Sequence, residues 1–249
     1  MHATLRSLLA ALVLLIPGNG ESRLQDSPPH IVLWAWERPE DLRFLKDQQV
    51  GVAFLATTLR LQGRKVVESP RRQPLRVGDT THLSAVVRIE ADDRAPLDAE
   101  QQRAVLERVL AAAKLPGVRM VQVDFDARQS QRPQYASLLR LLRAALPVDI
   151  KLSMTALASW CVFDRWIDGK DLPVDEVVPM VFAMGPGGTS LRARLDSEGD
   201  FRSSACRDAV GFATWEPAPS LPSNRRVYWF HDAPWTAVAV RKAIARTPR

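Results

Sequence analysis

Ten residues in the middle of the chain, Val118-Arg119-Met120-Val121-Gln122-Val123-Asp124-Phe125-Asp126-Ala127, form an apolar run that ends in two carboxylates two residues apart. Side chains alternate faces along a strand, so Gln122, Asp124 and Asp126 point one way while Val121, Val123 and Phe125 point the other. An amphipathic helical pattern leads in over 98–114 and another leads out over 132–146. A strand set in such an alternation belongs to a parallel sheet covered on both faces, where polar side chains are unexpected until the carboxyl end. The carboxylate pair therefore marks a candidate site. The competing readings are a cap on the following turn, or pairing with a buried arginine inside a barrel.

The remaining segments repeat the alternation. Residues 31–36 read as a first strand, with a helix opened by Pro39-Glu40-Asp41 and running through 48, and residues 50–55 as a second strand. Over 57–77 the pattern changes to an irregular hairpin around Ser69-Pro70-Arg71-Arg72-Gln73-Pro74, an excursion in place of a crossover helix. Further strands are predicted over 83–89, 150–156, 176–184, 209–214 and 226–230, with helices over 190–195 and 235–246. Together with the central strand these make eight, the number that closes a barrel in a chain of about this length. The expected fold is α/β, a single (β/α)8 TIM-type barrel with irregular second, fifth and sixth crossovers; an open doubly wound sheet is the alternative.

The barrel is assigned to 30–249, after a linker over 21–29 and a signal peptide over 1–20. Those first twenty residues carry one charge, Arg6, then an apolar core (8–16) too short to span a bilayer and the breakers Pro17 and Gly18. An uncleaved anchor is the competing reading. Cleavage leaves no stable membrane span and a net charge of about +5, with basic and acidic residues interspersed. That is a solvated surface rather than a nucleic-acid groove. Export to the periplasm or medium also permits a disulfide between Cys161 and Cys206. The strand map puts these cysteines at opposite ends of the barrel, so pairing is left open.

Barrel chemistry gathers at the carboxyl ends of the strands. Five tryptophans fall at those ends, Trp34, Trp36, Trp160, Trp215 and Trp229, beside Phe182, Asp232 and several acids. Flat aromatic faces next to carboxylates suit sugars, whose C–H faces stack on rings while acids accept from hydroxyls. The competing reading is that individual tryptophans plug the barrel mouth. Cleaving a glycosidic bond needs a protonated acid and an anionic partner, and Asp124, Asp126 and Glu216 are the catalytic candidates. At about 7 Å along the strand, repulsion between the two aspartates raises one pKa. Glu216 would face them from across the barrel.

Other chemistries fit less well. His82 and His231 have no partner at metal-ligand spacing, and Ser153 and Ser159 lie in no nucleophile elbow. Gly185-Pro186-Gly187-Gly188 lacks the Lys-Ser/Thr of a phosphate loop, and no cofactor is implied.

Several segments, the Val-Gln-Val-Asp124-Phe-Asp126-Ala strand, Ser153 through Cys161, Leu172 through Met180, and Val210-Gly211 with Glu216-Pro217, together resemble the bacterial domain-of-unknown-function family 3142. That resemblance implies an exported bacterial protein without naming a reaction. More distantly the chain is similar to chitinase-like glycoside hydrolases, whose fourth strand ends in spaced aspartates and an acid glutamate. Asp124 and Asp126 match the last two aspartates, Arg128 stands at the glutamate, Met180-Val181-Phe182 loosely matches a Met-x-Tyr motif, and Trp229 matches an eighth-strand tryptophan. These residues lead to the expectation of a glycoside-hydrolase-like barrel acting on a cell-envelope or extracellular polysaccharide. The alternative is a noncatalytic carbohydrate-binding or envelope-assembly protein on the same frame.

Overall fold

The computed structural model describes residues 29–45, 50–79, 81–164, 166–168 and 172–248. The signal peptide and nearly all of the linker lie outside these residues. Eight parallel strands close on themselves: β1 (Ile31–Ala35), β2 (Val50–Gln62), β3 (Leu83–Ala91), β4 (Val118–Phe125), β5 (Lys151–Leu157), β6 (Glu176–Met180), β7 (Ala209–Ala213) and β8 (Arg226–Phe230). Closure is visible at β1, which pairs with β8 through Ile31 opposite Val227 and with β2 through Ile31 opposite Val50. The fold is a TIM-like barrel, so the open-sheet alternative falls away.

Helices α1 (Ala99–Ala113), α2 (Arg132–Ala145), α3 (Ala158–Val162), α4 (Gly188–Glu198) and α5 (Ala237–Arg246) cover the outside. Local chemistry sets their ends. The Asp98 carboxylate accepts from the backbone N–H groups of Glu100 and Gln101, capping α1, and the Thr236 hydroxyl accepts from Ala239 N to start α5. Gly199, at φ 75°, ends α4 in the left-handed conformation that glycine adopts without penalty.

Period-two alternation divides the strand residues into two apolar sets. Val32, Trp34, Ala53, Val86, Val178, Ala209 and Tyr228 cluster in the lumen, while a much larger set, including Leu33, Val121, Val123 and Trp229, packs under the helices. The lumen also holds a polar chain. Trp34 Nε1 donates to Gln122 Oε1 (2.8 Å), Gln122 Nε2 to Ser153 Oγ (3.1 Å), and Ser153 Oγ to Glu176 Oε2 (3.0 Å). Tyr228 also donates to Glu176 Oε2 (2.7 Å), and Arg226 pairs with Glu176 Oε1. Each side chain of this lumen network has a partner, which offsets the cost of removing it from water.

Two expectations need correction. The helix predicted from Pro39 is replaced, within the described residues, by a two-residue strand, Glu40–Asp41, parallel to Leu75–Arg76, followed by a 3-10 turn at Arg43–Leu45. Tertiary contacts override the local signal: the Glu40 carboxylate, 3% exposed, accepts from Arg38 Nε and Trp235 N, and Arg71 donates to the carbonyls of Trp36 and Arg38. The sixth strand stops at Met180 instead of 184, because Ala183 turns the chain at φ 50°. The expected hairpin is present, with Lys65–Pro70 antiparallel to the extended end of β2.

Cys161 and Cys206 are joined, with Cα atoms 5.9 Å apart. They meet because the chain after α4 returns along the barrel's flank, where Ser203 N donates to Cys161 O (3.0 Å), rather than passing beneath it. Both sulfurs are fully buried against α3. A disulfide of this kind is consistent with a location outside the cytoplasm. No described helix is long and apolar enough to cross a membrane.

Candidate functional site

At the carboxyl end of the barrel lies a cavity of about 130 Å³ lined by Trp34, Trp36, Val86, Arg88, Gln122, Asp124, Thr155, Met180, Phe182 and Phe230. That is close to the ~150 Å³ that accommodates one six-membered ring. Its two sides differ in chemistry. One is aromatic: Phe182 stacks on Phe230 at 5.7 Å with planes 12° apart, and Trp36 meets Phe230 edge-on at 5.6 Å. Trp34 forms the floor, its indole held by Gln122 and admitted by Gly211, where a Cβ would lie 2.6 Å from the Trp34 ring. Only glycine fits there.

The other side is charged. Arg88, from β3, donates to Asp124 Oδ2 (3.1 Å) and to Glu90 Oε1 (3.1 Å), and its guanidinium lies 5.8 Å from the Trp36 ring centre. Thr155, from β5, donates to Asp124 Oδ1 (2.8 Å). Burial pushes the Asp124 carboxyl above the ordinary aspartate range, and the Arg88 charge and these hydrogen bonds pull it back. Asp126, the residue after the end of β4, is exposed to solvent. Its carboxyl is also raised, first by partial desolvation and then by repulsion from Asp124, with Arg88 opposing.

The structure gathers Trp34, Trp36, Phe182 and Asp124 in one cavity; Asp126 and Trp215 are not among its lining residues, although Asp126 feels the charges of Asp124 and Arg88. Trp215, 48% exposed, packs edge-on against Phe230 (5.7 Å) and Phe182 (6.5 Å). Glu216 is not among the lining residues. Its carboxylate accepts from Ala183 N (2.9 Å) and pairs with Arg192 of α4 (2.7 Å), tying down the left-handed turn that follows β6. Asp232 is exposed beside His231, whose Nδ1 is 3.7 Å from the carboxylate.

Trp160 and Trp229 lie elsewhere. Trp160 is buried on the flank, 5.0 Å edge-on from Trp166, with Arg132 5.7 Å from its ring. Trp229 faces outward under α5 and donates to Thr247 Oγ1 (3.0 Å). Arg128, at the position of the glutamate in the chitinase-like pattern, pairs with Asp93 at the surface. Among the described residues no group of three or more His, Cys, Asp or Glu side chains is placed to hold a metal ion.

The barrel fold has a counterpart among solved structures. The spore cortex-lytic enzyme SleL of Bacillus cereus superposes with a TM-score of 0.51 at 17% identity, over 88% of this chain and 58% of that one. The chain thus shares that enzyme's fold while spanning little more than half its length. Residues 79–184 match the model of the family described as Domain of unknown function (DUF3142). The matched segment holds the charged side of the mouth, Arg88 to Thr155, and also Met180 and Phe182; Trp34, Trp36 and Phe230 lie outside it. A search of curated proteins returns no match.

Proposed function

We infer that the protein is a glycoside-hydrolase-like barrel that takes one sugar of an envelope or extracellular polysaccharide into its mouth. The observation that carries this reading is a buried carboxylate, Asp124, inside a ring-sized cavity walled by Trp36, Phe182 and Phe230, with a second raised carboxylate, Asp126, two residues on and close enough to feel its charge. Asp126 is the group suited to donate a proton to the departing glycosidic oxygen. Asp124, fixed by Arg88 and Thr155, supplies the negative charge that steadies the sugar as positive charge develops on it.

Asp124 lies on β4 and Asp126 is the first residue beyond its end, so both carboxylates reach the sugar from the same strand terminus. That arrangement does not flank the scissile bond as the two-sided carboxylate mechanisms require; it suits cleavage in which the substrate's own 2-acetamido group is the nucleophile. The favoured substrate is therefore a 2-acetamido polysaccharide.

A noncatalytic, carbohydrate-binding reading is favoured by two other observations: Arg128 stands where an acid glutamate would, and Glu216 is committed to Arg192 and Ala183. Incubating the mature chain with chitin-type and peptidoglycan glycans, beside Asp126→Asn, separates the two. New reducing ends from wild type alone support the enzyme. Equal binding by both proteins with no product supports the recognition module.

A further inference from the structure

A second depression opens on the same end of the barrel, between the loops after β7 and β8 and helix α5. Its volume is about 650 Å³, five times that of the mouth cavity, and Thr214, Trp215, His231, Asp232, Lys242 and Arg246 are among its lining residues. One layer of rings separates the two spaces, since Trp215 lines this groove and packs against Phe182 and Phe230, which line the mouth. The Trp215 indole, 48% exposed, is therefore open on the groove side only a ring's width from the mouth.

The charges of the two spaces differ. At the mouth, Asp124, Asp126 and Glu90 surround Arg88. The groove carries two cations, Lys242 and Arg246, against the single carboxylate of Asp232. Arg246 is occupied: it donates to the carbonyls of Thr214 and Glu216 and lies 5.0 Å from the Trp229 ring centre, which fixes the groove's shape. Lys242, one turn earlier on the same helix face, is exposed, lines the groove and forms no ion pair among the described residues.

Resting on the reading of the mouth as a sugar site, we propose that the groove is a second sugar subsite that takes a carboxylate-bearing unit of the same polymer. The chain runs from the mouth across Trp215, whose indole stacks on the intervening ring, and the acid group of the next unit meets Lys242. The substrate class is thus an acidic 2-acetamido glycan rather than a neutral one.

Two probes share a 2-acetamido backbone and differ in charge: chitin oligosaccharides, which are neutral, and peptide-free peptidoglycan strands, which carry a lactyl carboxylate on alternate sugars. Affinities for both are measured by tryptophan fluorescence on the mature wild-type chain and on Lys242→Ala, Trp215→Ala and Trp36→Ala. The acidic strand binds wild type more tightly, and its advantage shrinks as salt is raised. Lys242→Ala, on an exposed helix face, weakens the acidic strand about fivefold and leaves chitin unchanged. Trp215→Ala weakens both roughly tenfold. Glycans that bind, depend on Trp36 and ignore Lys242, Trp215 and charge overturn the groove subsite alone. Absence of binding to either glycan overturns the mouth reading and the subsite with it.

Discussion

Replacing Arg88 with methionine keeps most of the side chain's apolar bulk and deletes the cation facing Asp124. The cost follows from the geometry: Arg88 donates to a carboxylate whose side chain is 6% exposed, so the variant leaves that charge buried beside Thr155 alone. Removing one member of a fully buried pair costs about 3–5 kcal/mol. Arg88 is itself 35% exposed, so water replaces part of the interaction and the cost falls to roughly 2 kcal/mol at neutral pH. In a chain of this size that lowers the melting temperature by about 4–8 °C.

The pH dependence gives the sharper test. Burial raises the folded-state pKa of Asp124 above its unfolded value, so the carboxyl favours folding in its protonated form. That contribution is fully present below the unfolded pKa and is lost as pH rises through the folded one. Arg88 is the largest influence opposing the rise, so its removal moves the folded pKa further up. The deficit of Arg88→Met, read by urea unfolding, therefore shrinks as pH falls from neutral through the raised folded-state pKa of Asp124, where the carboxyl takes up a proton and needs no counter-ion. Asp124→Asn in the same background restores part of the loss at neutral pH. A deficit that stays constant or grows on acidification would refute the reasoning.

Reducing the Cys161–Cys206 disulfide opens a loop with a sequence separation of 45, which in the chain-entropy account costs about 4 kcal/mol. A thermal melt in strong reductant drops accordingly, and an unchanged melt with two titratable thiols would contradict the bond's role. Turnover by an acid of raised pKa persists to higher pH than an ordinary aspartate allows and then declines as Asp126 loses its proton, while Asp126→Asn keeps glycan affinity; a product-release profile flat across that range would exclude Asp126 as the acid. Trp160→Ala removes a buried flank side chain at a cost of about 3–5 kcal/mol and leaves the affinity of the folded fraction intact, whereas Trp36→Ala does the reverse. Fluorescence titration of both variants against their urea curves separates these outcomes. Gly211→Ala drives a methyl into the Trp34 ring, and a near-ultraviolet dichroism spectrum identical to wild type would mean that the indole does not sit where the lumen packing requires.

How much of this was readable from the chain depends on parity. On β4 the alternation of Gln122 and Asp124 with Val121, Val123 and Phe125 marked the lumen face, but alternation alone left open whether Asp124 pairs with an arginine, as it does with Arg88, and it did not reach Asp126, which follows the strand's end. On β8, Arg226, Tyr228, Trp229 and Phe230 are all plausible mouth residues by type. Only the register against β1, with Val32 opposite Tyr228 and Leu33 opposite Trp229, turns Tyr228 inward and Trp229 out. Phe230, the ring against which Phe182 stacks, was missed for the same reason, although it has the parity of Tyr228. Glu176 was passed over as the start of a strand, and a carboxylate one alternation before Val178 was the available signal that it entered the lumen. The helix expected after Pro39 failed because the burial of Glu40 against Trp235, nearly two hundred residues away, outweighs local propensity. The disulfide was undecidable from element order, since the path of the chain between α4 and β7 is set by packing.

The most direct test of the central claim is a crystal structure of Asp126→Asn soaked with a 2-acetamido oligosaccharide. The account predicts a sugar ring in the mouth, lying against Trp36 and Phe230 with its scissile oxygen facing residue 126. An empty mouth under saturating oligosaccharide, or a sugar bound only away from Asp124, would contradict it.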